Sequence, residues 1–168
     1  MAKDDLKPLS PSQQARIVKS VRSHRQLGPL LKGRGRLVMA EPHMARGAAP
    51  GEAVVAIYDY DKDRTLVAHV YSKGGRVTSL EETPAQFQLS DEEEREAETL
   101  ARADKRVKSF LGRRQMNPLT RLYFPRKGSR HRHAIVFLRP NSSERSYAVV
   151  DLSDRRVVEV LSQAEFAG

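Results

Sequence analysis

The chain has no cysteine, and that absence excludes three kinds of chemistry. Without a thiol there is no disulfide bond, no thiolate metal site and no cysteine nucleophile, and such a composition suits a reducing compartment. The chain also lacks a run of about 18 apolar residues, so no membrane span is expected. No apolar stretch follows the polar N-terminus, so no secretory signal is expected and a cytoplasmic protein without membrane association is predicted.

The motifs of several enzyme classes are also absent from the sequence. There is no glycine-rich phosphate loop, no nucleophile elbow and no zincin helix. Residues 33–35, Gly-Arg-Gly, are too short for a phosphate loop and open no helix. The turn with Asp59, Asp61 and Asp63 lacks the glycine and the distal glutamate of a calcium loop. No convergent catalytic set is evident, and this favours a non-enzymatic protein.

What the chain does contain is an internal repeat with a spacing of 80 residues. The apolar segment 54–58 recurs as 134–138, and Val70 recurs as Val150. Because one offset holds from a helix start through three strands, the chain is predicted to contain two copies of one α+β unit.

Each copy is predicted to begin with a helix and to continue as about four antiparallel strands. Ser10 and Ser90 are typical N-cap residues, and Gln13 and Glu93 stand where each would complete a capping box. The first helix is expected to end near Gly28 or before it. The strands are predicted at 36–40, 53–60, 65–72 and 76–80 in the first copy, and at 119–124, 134–138, 147–152 and 156–161 in the second, with a turn at 140–143.

The predicted fold class is therefore α+β, with two tandem units that follow a flexible N-terminus at 1–8. The first unit covers residues 9–83 and the second covers 88–163. In each unit a helix packs on an antiparallel sheet of about four strands, which is a cystatin-like arrangement.

Positive charge is concentrated in the second copy of a chain whose net charge is +9. Residues 102–132 contain eleven Lys or Arg and a single acid, Asp104. Such a surface would attract phosphates, and Tyr123 and Phe124 offer stacking platforms for bases. No recognised nucleic-acid module is present, so a solvated basic face or contact with an acidic protein partner is favoured over nucleic acid. The predicted basic surface consists of Lys105, Arg106, Lys108, Arg113, Arg114, Arg121, Arg126, Lys127, Arg130 and Arg132.

Two features of the sequence resemble copper amine oxidases. One is the capped helix start followed by residues 102–107, Arg-Ala-Asp-Lys-Arg-Val, and the other is the pair of strand endings at 75–82 and 149–160. The similarity runs in order over residues 9–162, and it is to the two small cystatin-like domains that precede the catalytic domain. The resemblance implies a non-catalytic accessory pair, because the large domain that holds copper and a tyrosine-derived quinone has no counterpart in this sequence.

The family also binds copper through a His-x-His pair and a third, distant histidine, and His131 and His133 give such a pair. Side chains two residues apart on a strand point to one side, so both imidazoles are expected to reach one copper, zinc or nickel ion. The third ligand would come from His24, His43 or His69. The favoured interpretation is nevertheless an exposed basic strand entry, Arg130-His131-Arg132-His133, without any metal or other cofactor.

The sequence thus predicts a binding protein that contacts another protein or a peptide through a sheet face or the basic surface. Homo-oligomerisation stays open. One alternative is a small biosynthetic enzyme in which His69, His131 or His133 acts as a base within a pocket of the cystatin-like fold. Another is a nucleic-acid binder that uses the basic surface.

Overall fold

The chain divides into two compact units, Met1–Phe87 and Gln88–Gly168. The computed structural model describes residues 8–43, 51–125, 128–138 and 146–162. Within these ranges each unit contains two helices and one four-stranded antiparallel sheet, so the α+β class is confirmed. None of the described helices is long and apolar enough to cross a membrane.

The first unit consists of two helices followed by a sheet in which the strands pair in chain order. Its elements are α1 (Pro11–Ser23), α2 (Leu27–Lys32), β1 (Gly35–Pro42), β2 (Glu52–Asp59), β3 (Arg64–Tyr71) and β4 (Arg76–Thr83). The second unit repeats this order with α3 (Asp91–Ala103), α4 (Lys105–Leu111), β5 (Leu119–Tyr123), β6 (His133–Phe137), β7 (Ser146–Asp151) and β8 (Arg156–Ser162).

All eight predicted strands are present, and their ends differ from the prediction by at most three residues. The short helix α2 is not predicted by the sequence, which reads Gly28 as the end of helical structure. Residues 1–7 of the predicted flexible N-terminus and the predicted turn at 140–143 lie outside the described residues.

Both long helices begin with the predicted capping box. The Gln13 backbone N–H donates to the Ser10 hydroxyl at 3.3 Å, and the Ser10 N–H donates to the Gln13 side chain at 2.8 Å. In α3 the Ser90 N–H donates to the Glu93 carboxylate at 2.8 Å in the same way. Each box provides acceptors for two backbone N–H groups at the start of a helix, where the N–H groups have no intrahelical acceptors.

The core of the first unit lies between α1, α2 and one face of the sheet. Because side chains alternate along a strand, one face of β2 and β3 is apolar and packs against the helices. The cluster is formed by Ile17, Val21, Leu27, Ala53, Val55, Ile57, Leu66, Ala68 and Val70. The opposite face carries Glu52 and His69, which therefore point away from this core.

Strand β6 lies one residue away from the position that the 80-residue repeat predicts for it. In the first unit Ala53 pairs with Val70, and in the second Ala134 pairs with Val150. Val70 and Val150 both follow the same strand irregularity, so they are equivalent, and Ala134 must correspond to Ala53 at an offset of 81. The predicted uniform offset of 80 is therefore wrong for this strand. A shift of one residue moves side chains to the opposite face of a sheet.

The tight turn between the third and fourth strands of each unit requires a left-handed residue. In the first unit this is Gly75, with φ of 70°, and in the second it is Arg155, with φ of 55°. A Cβ on Gly75 would lie 2.2 Å from the Ser20 hydroxyl oxygen. Glycine at this turn thus permits both the backbone conformation and the close approach of α1.

We expect Gly75→Ala to lower the free energy of unfolding by at least about 1–2 kcal/mol, the cost of the left-handed conformation for an L-residue. Urea unfolding followed by circular dichroism measures this. Arg155→Ala is the matched control, because that position already carries a side chain and its exposed ion pair with Glu96 contributes little. Equal losses in the two variants would contradict the role given to Gly75.

Candidate functional site

The second unit contains an open groove of about 500 Å³ beside α3 and α4. Its apolar lining residues are Val107 and Leu111, which are buried, and Met116, which is half-buried. Its other lining residues include Arg102, Lys108 and Arg114, all of which are exposed. The groove therefore combines an apolar surface with positive charge.

Most of the described members of the predicted basic surface are exposed. These are Lys105, Arg106, Lys108, Arg113, Arg114, Arg121 and Arg130. Two of them, Lys108 and Arg114, line the groove. Arg102, which was not in the predicted set, lines it as well. Arg126 and Lys127 lie outside the described residues.

Arg106 is engaged at the start of α4. Its guanidinium donates to the Asp104 carboxylate at 2.9 Å and to the Val157 carbonyl at 2.7 Å. The hydrogen bond from Arg106 is the main cause that lowers the pKa of Asp104, against the opposing effect of desolvation. The exposed guanidinium of Arg106 is therefore already paired with the Asp104 carboxylate of the same chain.

The assignment of Arg132 to the basic surface is wrong. Its side chain is fully buried, and so is that of Glu93. The Arg132 guanidinium donates to the two Glu93 oxygens at 2.7 and 3.0 Å and to the Gln88 carbonyl at 2.9 Å. The reason is the register, because Arg132 lies on the helix side of the sheet, while its neighbour His133 faces the other way.

His131 and His133, the predicted metal pair, lie at the start of β6 and approach the same carboxylate. His131 Nδ1 lies 2.8 Å from Asp151 Oδ2, and His133 Nε2 lies 3.6 Å from the same oxygen. The centroids of the two rings are 6.3 Å apart in a stacked arrangement. The candidate metal ligands of this unit are His131, Asp151 and Asp154, whose ligand atoms lie within 4.8 Å of one another. This set contains only one of the two predicted histidines.

Asp151 is held by several hydrogen bonds and charges. Burial by itself would raise the pKa of Asp151, but the His131 hydrogen bond, the Asp154 backbone N–H and the nearby His133 together lower it. The Nδ1 of His133 donates to the His131 carbonyl at 3.0 Å, and its Nε2 faces the Asp151 carboxylate. Asp151 was not singled out in the sequence, because only the pairing of β6 with β7 brings it to the histidines.

A second cluster, in the first unit, consists of His43, Glu52 and His69. His43 Nδ1 lies 2.7 Å from one Glu52 oxygen, and His69 Nδ1 lies 3.6 Å from the other. The hydrogen bond with His43 is the main cause that lowers the pKa of Glu52, and the charge of His69 adds to it while burial opposes it. Two of the predicted third ligands therefore lie together, and the carboxylate between them is a residue that the sequence did not indicate.

His24, the remaining predicted third ligand, lies at the C-terminal end of α1. Its Nδ1 accepts a weak hydrogen bond from the Gln26 backbone at 3.4 Å. It is in neither of the candidate ligand groups found among the described residues. None of the proposed catalytic bases His69, His131 and His133 lines the groove described above.

The described residues thus define a protein of two α+β units, with a basic and apolar groove in one and an imidazole–carboxylate cluster in each. The chain matches no known family model and no curated protein.

Proposed function

We propose that this chain is a cytoplasmic, non-enzymatic binding protein of two tandem cystatin-like units, related to the accessory domains of copper amine oxidases. Its partner is an acidic, partly apolar peptide segment of another protein. The repeated order of a capped helix and an antiparallel four-stranded sheet supports the relationship. The observation that carries the function is the groove beside α3 and α4, with its mixed apolar and cationic lining.

The lining of the groove has the chemistry that an acidic amphipathic segment requires. Met116, which is half-buried, and Leu111, which is 8% exposed, offer apolar surface on which an apolar side chain loses contact with water, at about 25 cal/mol for each Å² buried, whereas Val107 is fully buried. The unbranched Met116 side chain adapts to the shape of the group it contacts. Arg102 and Lys108 are exposed and attract carboxylates, which speeds association and selects against basic partners.

The lining residues of the groove favour a peptide over a single-stranded nucleic acid. Their cations would attract phosphates as well as carboxylates, but none of these residues is aromatic, so the groove offers no ring on which bases could stack. The strongly exposed aromatic ring of the second unit, Phe124, does not line the groove.

The test is the binding of a fluorescein-labelled dodecapeptide of glutamates around a central leucine pair, measured by fluorescence anisotropy. We expect K108E/R114E to weaken binding by at least about tenfold, which corresponds to about 1.4 kcal/mol. The matched control is K62E/K73E, which makes the same change in net charge at exposed turns of the first unit.

Equal weakening by the two double variants would show attraction to net charge alone and would overturn the groove as the binding site. A single-stranded oligonucleotide of equal charge is measured alongside the peptide. If the oligonucleotide binds more tightly and with the steeper salt dependence, the partner is nucleic acid and the proposal fails.

A further inference from the structure

Three neighbouring strands place His43, Glu52 and His69 on one face of the first sheet. His43 directly follows β1, and its backbone N–H donates to the Glu52 carbonyl at 2.8 Å, which extends the pairing of β1 with β2. His69 pairs with Val54, two residues after Glu52, so it lies diagonally across from Glu52 on the same face. The backbone therefore fixes all three positions independently of the side chains.

The distances between the three side chains fit the coordination of a metal ion. Each residue offers one ligand atom, and the three atoms lie within 4.8 Å of one another. Ligands at about 2.0–2.1 Å from a tetrahedral zinc ion lie about 3.3 Å apart. The two distances to the Glu52 oxygens, 2.7 Å from His43 and 3.6 Å from His69, lie on either side of this value.

Two polar groups lie close to the ligands of this cluster. The His69 ring nitrogen on the far side, Nε2, lies 4.0 Å from the Glu81 carboxylate. The Thr78 hydroxyl is 3.3 Å from a Glu52 oxygen. Carboxylates behind a ligating histidine and hydrogen bonds to a ligating carboxylate are the usual supports of a bound metal.

We propose that His43, Glu52 and His69 form a binding site for a divalent first-row transition metal ion, with Zn²⁺ as the reference ion. Two imidazoles and one carboxylate are a set that zinc accepts, and the fourth position is left to water. All three side chains are partly exposed, so an ion reaches them directly from solvent. The bound ion cross-links β1, β2 and β3 on the face opposite the core. This site is independent of the peptide groove, which lies in the other unit.

The cluster of the second unit serves as the matched comparison. Its candidate ligand set, His131, Asp151 and Asp154, has one imidazole where the first unit has two, and imidazole rather than carboxylate suits the ions from iron to zinc. The two imidazoles are farther apart than in the first unit, where the His43 and His69 ring centroids are separated by 4.6 Å. We therefore expect the second cluster to remain an ion pair without metal.

The experiment uses the full chain, purified without a histidine tag and freed of metal by a chelator. Isothermal titration with ZnCl₂ measures affinity and stoichiometry, and the visible absorption of Co²⁺ reports the ligand geometry. We expect one Zn²⁺ per chain. We also expect His43→Gln with His69→Gln to weaken binding by at least about 100-fold, since loss of a supporting group alone costs up to that much. His131→Gln with His133→Gln should leave the affinity unchanged.

Glu52→Gln is a second variant that preserves shape and removes the charge, and it is used if the double variant fails to fold by circular dichroism. Absence of saturable Zn²⁺ binding by the unaltered chain would overturn the proposal. Unchanged affinity in the variants of the first cluster would overturn it as well. Loss of binding in the His131 and His133 variant would assign the metal to the other unit and would equally count against it.

Discussion

Replacing Arg132 by methionine is expected to lower the free energy of unfolding of the second unit by about 3–5 kcal/mol. The arginine and its partner Glu93 are both fully buried, so the change leaves a carboxylate in the interior without its counter-charge. The Gln88 carbonyl also loses a donor. Urea unfolding measures the loss, and hydrogen exchange read on peptides from residues 88–162 shows whether it is confined to this unit.

Glu93→Gln separates the two roles of the glutamate. Its carboxylate accepts from the Ser90 N–H in the capping box, and glutamine performs that function at Gln13 in the first unit. Glu93→Gln therefore keeps the cap and removes the charge, which leaves Arg132 buried and uncompensated. We expect a loss of about 3–5 kcal/mol, similar to that of Arg132→Met.

The double variant E93Q/R132M is expected to lose only about 1–2 kcal/mol, because no unpaired charge remains in the interior. The difference between this value and the sum of the single losses is the coupling between the two residues. Arg130→Met, an exposed change two residues away, is the control and should stay within about 0.5 kcal/mol of the unaltered chain. Additive single losses would contradict the buried pair.

Arg132 also shows where the sequence stops being informative. It lies in the run Arg130-His131-Arg132-His133, whose polarity is typical of an exposed strand entry. Which of these four side chains faces the helix depends on the pairing of β6 with β7, and that pairing differs by one residue from the repeat spacing. Register is set by contacts between distant segments, so local composition does not contain it.

The two imidazole–carboxylate clusters could likewise be predicted only in part, because their members come from different strands. The spacing of His131 and His133 is visible in the sequence, and the prediction that they act on one centre follows from it. Asp151, which lies between them, is on another strand. In the first unit His43, Glu52 and His69 come from three separate segments, and only the sheet brings them together. By contrast, the capping boxes and strands are local signals and were predictable.

Helix α2 was missed because its first residues are usually helix breakers. Gly28 and Pro29 disfavour helix interiors and read as a stop signal. In the structure they occupy the first turn, where a missing N–H on proline costs no intrahelical bond. A Cβ on Gly28 would lie 2.4 Å from the Arg22 carbonyl oxygen, so glycine permits α2 to pack closely after α1. The helix forms through tertiary contacts rather than through propensity.

Leu27→Ala is expected to lower the free energy of unfolding of the first unit by about 2–5 kcal/mol. Leu27 is the first residue of α2, is fully buried, and belongs to the core cluster with Ile17 and Val55. Its truncation removes apolar contacts and leaves a cavity that the sheet fills only in part. The loss is measured by urea unfolding, and hydrogen exchange of peptides from residues 8–43 locates it.

Lys32→Ala in the same helix is the matched control. Lys32 is exposed, and alanine has a higher helix propensity, so the free energy of unfolding should change by less than about 0.5 kcal/mol. A small loss from Leu27→Ala would contradict the role given to Leu27 and would leave Leu30 and Leu31 as the residues that hold α2 on the core. A six-residue helix that begins Leu-Gly-Pro is not stable through its own propensity, because nucleation of so short a segment is unfavourable in water. Packing of α2 against the core, through the buried Leu27 and the partly buried Leu30 and Leu31, is therefore what stabilises this helix.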